Sequence, residues 1–208
     1  MPAIAWPASF THKINWIRVT FHILGGLFVA TLMWLFTGQG TVKIGLVFAG
    51  LALFLETARH SLPHFRQSFQ DAFGILMKQK ERQGLTGFTW VVAGSLIVAF
   101  FVREREAATL AYLAWAFGDA SAVVFGTLIS SPKITPNGKK TLAGSLIGLG
   151  VVFLVGLVFL VKWHSPHLWT HIATLLGVFF VTETFSGSLG LDDNLTIPVA
   201  VALTLSLL

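Results

Sequence analysis

The sequence predicts an all-α fold, a polytopic integral membrane bundle of about six to seven transmembrane helices with one amphipathic helix at the interface. Three observations carry this prediction. Of the 208 residues 54% are hydrophobic and only 11% charged, and the mean hydropathy is +0.77, far from a soluble domain. Apolar runs of roughly 17 to 24 residues recur along the chain, close to the ~20 needed to cross about 30 Å of hydrocarbon as a helix. Finally, backbone in a bilayer must pair with itself as helix or closed barrel, and these runs are too long for the alternating strands of a barrel.

In order, the predicted spans are 14–36, 41–57, 85–102, 107–130, 142–161 and 167–183. A last run, 195–208, contains Pro198 and is short for a crossing, so it reads as a half-helix or a segment packed inside the bundle. The whole chain, 1–208, is expected to form one domain. Between the second and third spans, residues 58–84 carry Phe65, Phe69, Ala72, Phe73, Leu76 and Met77 at intervals of three and four. That period describes an amphipathic helix in the interface, either a surface linker or a platform beside a lipid site. Residues 1–13 lack the charged start, short apolar core and cleavage site of a signal peptide, so the first span is expected to stay. There is no cysteine, which excludes disulfides, thiolate metal sites and cysteine nucleophiles.

Orientation follows from the basic residues. Ten of fourteen, among them Arg18, Arg59, Lys78, Lys80, Lys139 and Lys140, fall on one side of the predicted spans, and Lys43, Arg103, Arg105 and Lys162 on the other. The first side is expected to be cytoplasmic, with the N-terminus inside. The net charge of +5 is then a topology signal that calls for no nucleic acid.

Ionisable residues inside spans are costly and are usually kept for a task. Arg18 and His22, four apart, share a face of the first span; Glu56 and Arg59 lie three apart at the inner end of the second; Asp119 lies within the fourth and Glu183 at the inner end of the sixth. All can meet in the cytoplasmic half, in one polar cavity open to that side. Alternatives stand beside this reading: a helix-end ion pair for Glu56 and Arg59, snorkelling for Arg18, a satisfied bundle histidine for His22. His167 and His171 read as interfacial residues near Trp163 and Trp169. Asp119 is harder to dismiss, because Gly118, Ala120, Ser121 and Ala122 flank it and no basic residue lies within a turn.

The following loop, SSPKITPNGKKTLAGS, supplies the complement. Pro132, Pro136, Asn137 and Gly138 form turns, Lys139 and Lys140 bring positive charge, and Thr141 or Ser145 caps the next helix. Free amides at that helix start, with the lysines, predict an anion site suited to phosphate. It is not a P-loop: Lys133 stands at the upstream glycine position and no strand precedes it. Near the end, LGLDDNLTIP places Asp192, Asp193 and Asn194 on the same side, as metal or substrate ligands or as caps of the last helix. A carboxylate for Mg²⁺ and cations for a polyphosphate are what phosphoryl transfer asks for.

Asp119, Ala122, Gly126, Gly138, Lys139, Lys140, Thr141, Gly144 and Ser145 together resemble the nucleotide-binding signature of the CTP-dependent lipid kinases: dolichol kinase, phytol kinase and the yeast-type diacylglycerol kinase. The resemblance spans nearly the whole chain. Arg18, His22 and Gly26 match the family's first-helix pattern, Glu56 and Arg59 its Glu-x-x-Arg, Glu81 with Leu85, Thr86, Gly87 and Thr89 its Leu-Thr-Gly-x-Thr segment, and residues 193–198 its Asp-Asn-Leu-x-Ile-Pro ending. Val19, Ser130 and Ala143 depart from the pattern.

The resemblance implies Mg²⁺-dependent transfer of the γ-phosphate of CTP to the hydroxyl of a polyprenol, phytol or diacylglycerol, in a prokaryotic cytoplasmic membrane, with Asp119 as metal ligand or catalytic carboxylate and Arg18 and the lysine pair on phosphate. The candidate site is then Asp119, Glu56, Arg59, His22 and Asp193 for catalysis, Asp119 and Asp193 for the metal, and Arg18, Gly126, Gly138, Lys139, Lys140, Thr141, Gly144, Ser145 and Asn194 for the nucleotide. A CTP:phosphatidate cytidylyltransferase would attack the α-phosphate, but its signature ending is not LDDNLTIP. A small carrier or flippase would show paired repeats with broken helices, and none is present.

Overall fold

The computed structural model describes residues 14–36, 39–135 and 140–208. Gly138 and Lys139 lie outside the described residues. Eight α-helices are present among them: α1 (Trp16–Leu35), α2 (Gln39–Ser61), α3 (Pro63–Phe73), α4 (Gly87–Phe101), α5 (Arg105–Leu128), α6 (Leu142–Lys162), α7 (Leu168–Phe185) and α8 (Asp193–Leu205), with a 3₁₀ turn at Gln79–Arg82. Five of these, α1, α2, α5, α6 and α7, are long and apolar enough to cross a bilayer; α4 and α8, of 15 and 13 residues, are apolar but shorter. The fold is a polytopic membrane helical bundle.

Side-chain caps start four of the helices: Asn15 accepts from the Arg18 amide, Thr86 from Thr89, Thr141 from Gly144 and Asp192 from Asn194. Each such cap contributes about 1 kcal/mol. Pro63 opens α3 directly after α2, and Arg66 on α3 donates to the Arg59 and His60 carbonyls, covering the end of α2. No residue of α3 is buried, and Phe65, Phe69 and Phe73 stand in a row along it, with ring centroids 6.1 and 4.9 Å apart. The expected amphipathic helix is observed over 63–73 rather than 58–84, and Leu76 and Met77 follow its end.

The core is built around α5, whose residues 107–112 are all buried. It is flanked by α1, α6 and α8, while α2 packs on α4, and α8 on α4 and α7. The last helix therefore lies inside the bundle, with Ile197, Pro198, Val201 and Ala202 buried, one of the two alternatives its length left open. Exposed Phe21, Leu24, Phe28, Leu53, Phe54, Phe100, Leu154 and Val158 form the apolar outside that a bilayer covers.

α1 runs antiparallel to α5, so the bundle has two distinct ends. At one, Arg105 lies over the Trp34 ring, 4.7 Å from its centroid, and Trp34 meets Trp163 edge to face at 4.3 Å, an interfacial aromatic cluster. At the other end lie Asp119 and the loop before α6. α5 and α6 approach closely there: a Cβ on Gly144 would stand 2.6 Å from the Ala122 carbonyl oxygen and 2.9 Å from the Gly126 Cα. One irregularity has no counterpart in the sequence pattern, a π turn at Trp115–Asp119 inside α5. Such turns often mark functional sites, and this one ends on Asp119.

Candidate functional site

Two polar networks border a cavity of about 910 Å³ that lies among α1, α2, α3 and α4 and reaches Trp115, Asp119 and Asn194. The first explains the Glu-x-x-Arg and Leu-Thr-Gly-x-Thr spacings. Glu56 Oε1 accepts from the Thr86 amide at 2.7 Å and from the Thr86 and Thr89 hydroxyls, each at 2.8 Å. Its other oxygen takes Arg59, whose guanidinium also donates to the carbonyls of Glu81 at 2.9 Å and of Gly84. Arg59 is 1% exposed. The pair is a knot that fixes the 3₁₀ turn and the start of α4 against α2, and both of its members line the cavity wall.

The second network centres on Lys140. Its Nζ lies 2.7 Å from Glu183 Oε1, 3.6 Å from Asp119 Oδ1 and 3.8 Å from Asp193 Oδ2. Ser145 donates to Glu183 Oε2 at 3.0 Å. Lys78 reaches Asp193 at 3.8 Å and Lys80 reaches Asp192 at 2.8 Å, tying the 3₁₀ segment to the start of α8. His22 Nε2 lies 3.7 Å from Asp119 Oδ2 and 3.4 Å from the Trp115 carbonyl oxygen, its ring against the Trp115 indole at 4.4 Å. Asp119 Oδ1 is buried without a hydrogen bond.

These ion pairs join four carboxylates to three ammonium groups, and Arg18 on the cavity wall adds a fourth cation. Burial works against the charge on Lys140, but Asp119, Glu183 and Asp193 outweigh it and hold its pKa well above the ordinary lysine value. Lys80 is raised in the same way: burial opposes its charge and Asp192 more than restores it. For Asp193 burial favours the protonated acid, yet Lys78 and Lys140 bring its pKa below the usual aspartate range. Lys140 and Lys80 are fixed cations at neutral pH.

The structure thus brings Asp119, His22, Lys140, Ser145 and Asp193 together and places Arg18 on the cavity wall beside them. Thr141 is the helix cap, and Gly126 and Gly144 are the close contact that sets α6 against α5. Asn194 is buried, its side-chain nitrogen beside Gly87. One expectation is corrected. The first amides of α6 are not free: Leu142 donates to Pro132 O, Ala143 to Ser131 Oγ and Gly144 to Thr141 Oγ1, because the loop folds back in a bridge of Lys133 with Thr141. Positive charge, rather than open amides, is what this helix start offers an anion.

Glu183, an intramembrane charge outside the candidate site, and Lys78 and Lys80, topology markers by sequence, all join this centre. Glu183 gave the same signal as Asp119, a lone carboxylate in an apolar run. The two lysines gave none that separates them from other loop lysines.

The fold and site define a membrane bundle with a buried carboxylate–lysine centre at one end. Among known proteins, the chain is 27% identical over 224 residues to the CTP-dependent diacylglycerol kinase 1 of Eremothecium gossypii, covering 95% of this chain and 68% of that protein. It is 23% identical over 191 residues to an uncharacterised protein of Rickettsia prowazekii, covering 90% of this chain and 91% of that one. No family model matches, and no solved structure matches. The chain is therefore a distant homologue of a CTP-dependent lipid kinase, in agreement with the resemblance carried by its motifs.

Proposed function

We propose that the protein transfers the γ-phosphate of CTP to the hydroxyl of a membrane lipid alcohol, with Mg²⁺, at a site facing the cytoplasm. The reading takes α4 and α8 as members of the membrane bundle and the whole chain as one kinase domain. The observation that carries it is the meeting of Asp119, Lys140, Glu183 and Asp193 at the polar end of a cavity that is otherwise apolar. The homology to a CTP-dependent diacylglycerol kinase supports the nucleotide and the class of acceptor.

In the reaction the lipid oxygen bonds the γ-phosphorus, the bond from that phosphorus to the bridging β-oxygen breaks, CDP leaves, and the hydroxyl proton goes to a base. Lys140, Arg18 and Lys139 hold the phosphates. A resident Mg²⁺ would be held by one or two carboxylates of the chain. Asp119 and Asp193 fit that demand, since Asp119 Oδ1 is buried with no hydrogen bond and both carboxylates face the same point at Lys140. When bound, Mg²⁺ would neutralise charge on the transferring phosphate. His22 takes the hydroxyl proton: with Nε2–H given to the Trp115 carbonyl, Nδ1 is free to accept, and Asp119 stabilises the imidazolium. Glu56 and Arg59 act as positioning residues that hold the cavity wall.

The test uses purified protein in mixed micelles with Mg²⁺, CTP labelled at either the α- or the γ-phosphate, an ATP control, and polyprenol, phytol, diacylglycerol and, for the alternative reaction, phosphatidate as acceptors. Label reaching the organic extract from γ alone supports the kinase and names its acceptor. Label from α makes the protein a cytidylyltransferase, and no label from any combination overturns the reading.

A further inference from the structure

Beyond Asp119 the cavity leaves the polar centre and runs along α1 between that helix and α2. Its polar end is made by Arg18, His22, Lys78 and Asp119; its body by Leu24, Phe28, Leu32 and Met33 of α1 and Ile44 and Phe48 of α2. From His22 to Met33 is eleven residues of continuous helix, roughly 16 Å of rise. That is about half of the ~30 Å hydrocarbon thickness, so the slot descends from the interface toward the bilayer midplane.

α1 leans on α5 and α2 on α4, and Phe28 meets Phe48 across the slot, edge to face at 6.0 Å. The slot is open sideways: Phe21, Leu24 and Phe28 line it and are 61%, 58% and 52% exposed. In a bilayer that opening faces acyl chains. α3 covers its polar end with Phe65, Phe69 and Phe73.

Two adjacent glycines of α1 differ in a way that bears on this slot. Gly26 is needed for packing, since a Cβ there would come within 2.4 Å of the Ala116 Cβ on α5. Gly25 lines the slot, and a Cβ there would meet nothing within 4 Å. Neither its backbone angles nor a neighbour calls for glycine, and glycine inside a helix weakens it. What the residue supplies is width, three residues from His22.

We infer that the slot between α1 and α2 holds the hydrocarbon tail of the acceptor lipid, which slides in from the bilayer past Phe21, Leu24 and Phe28 and sets its hydroxyl beside His22 and Asp119. This rests on the lipid-kinase reading of the same centre. One polar end, an apolar body as deep as one leaflet and a side opening to lipid match an amphiphile with a single head.

The experiment uses the full chain in phospholipid nanodiscs and a long-chain alcohol carrying a photoactivatable diazirine in its tail, with cross-links mapped by mass spectrometry. Cross-links are expected within residues 24–33 of α1 and 44–48 of α2. Gly25→Phe should lower their yield at least tenfold and Gly25→Leu by less. Gly150→Phe, which adds the same bulk on α6 where a Cβ also meets nothing, should keep the wild-type yield. Thermal unfolding of the variants checks that they fold, and the wild-type map needs no variant. Cross-links outside the slot, to a second copy of the chain, or unchanged in a folded Gly25→Phe would overturn the inference. The outcomes separate from those of the kinase reading: slot cross-links without phosphate transfer sink the kinase and keep the lipid site, and transfer with cross-links elsewhere does the reverse.

Discussion

Replacing Lys140 with methionine keeps the length and apolar stem of the side chain and removes only its charge. In the wild type that ammonium stands within 3.8 Å of three carboxylates, Asp119, Glu183 and Asp193, of which Glu183 is 1% exposed. Asp193 keeps Lys78 as a partner, and His22 stands by Asp119, but Glu183 keeps only the hydroxyls of Ser145 and Thr184. One deeply buried carboxylate is therefore left without its cation. Breaking such a pair costs about 3–5 kcal/mol. The expected destabilisation lies at the lower end of that range, about 3 kcal/mol, because Lys140 itself retains 18% exposure.

Adding Glu183→Gln to Lys140→Met removes the orphaned charge and should recover about 1–3 kcal/mol, the coupling of residues in direct contact. It should not restore function: losing a cation aimed at the transferring phosphate costs about 10²–10³ in rate, and glutamine does nothing to replace it. The assay is denaturant unfolding in mixed micelles, with γ-phosphate transfer measured on the same samples and Lys133→Met as an exposed control. If Lys140→Met unfolds no more easily than the control, or if the double variant regains activity with its stability, the centre is not organised as described.

Glu56→Gln should lower stability by about 1.5–3 kcal/mol, since it breaks the charge-assisted bond to buried Arg59, while leaving the apparent affinity for CTP within about twofold; a selective loss of nucleotide affinity would instead put Glu56 on the substrate. The response to pH follows from the lysines and Asp193. Lys140 and Lys80 have folded pKa values above the ordinary 10.5, so their contribution to stability is fully present below that value and fades as pH rises through the higher folded value. Asp193 is lowered from 3.8, so its contribution is present above that value and is lost as pH falls through the lower folded one. From these groups the unfolding free energy should be flat from about pH 5 to 10 and fall on either side; a fall between pH 7 and 9 would mean that Lys140 is not held by its carboxylates.

Much of the fold was legible because a bilayer permits so few backbones. Five of the six predicted spans are helices long enough to cross, while 85–102 forms the 15-residue α4 and the amphipathic period holds over α3; for 195–208 run length left two alternatives open and packing decides for the inside. Asp119 was legible for a related reason, an unpaired carboxylate amid small residues in an apolar run. What the sequence could not show depends on partners far along the chain. Glu56 and Arg59 at a spacing of three fit a catalytic pair or a knot equally well, and only the placement of Thr86 and Thr89 reveals the knot. A lysine in a loop reads the same whether it meets water or a buried aspartate, which hid Lys78 and Lys80. The π turn at Trp115–Asp119 has no local signature. At its centre Gly118 packs so tightly that a Cβ would come within 2.4 Å of Val152 and 2.6 Å of Phe179, residues of two other helices.

Asp119→Asn keeps the shape of the buried side chain at the proposed phosphate-transfer centre and removes its charge, and thermal unfolding checks that it folds. With γ-labelled CTP, Mg²⁺ and the preferred lipid alcohol, the wild type should transfer phosphate and the folded variant should transfer at least about 10²-fold less. Equal transfer by the two proteins would remove the Asp119 centre from phosphate transfer to lipid.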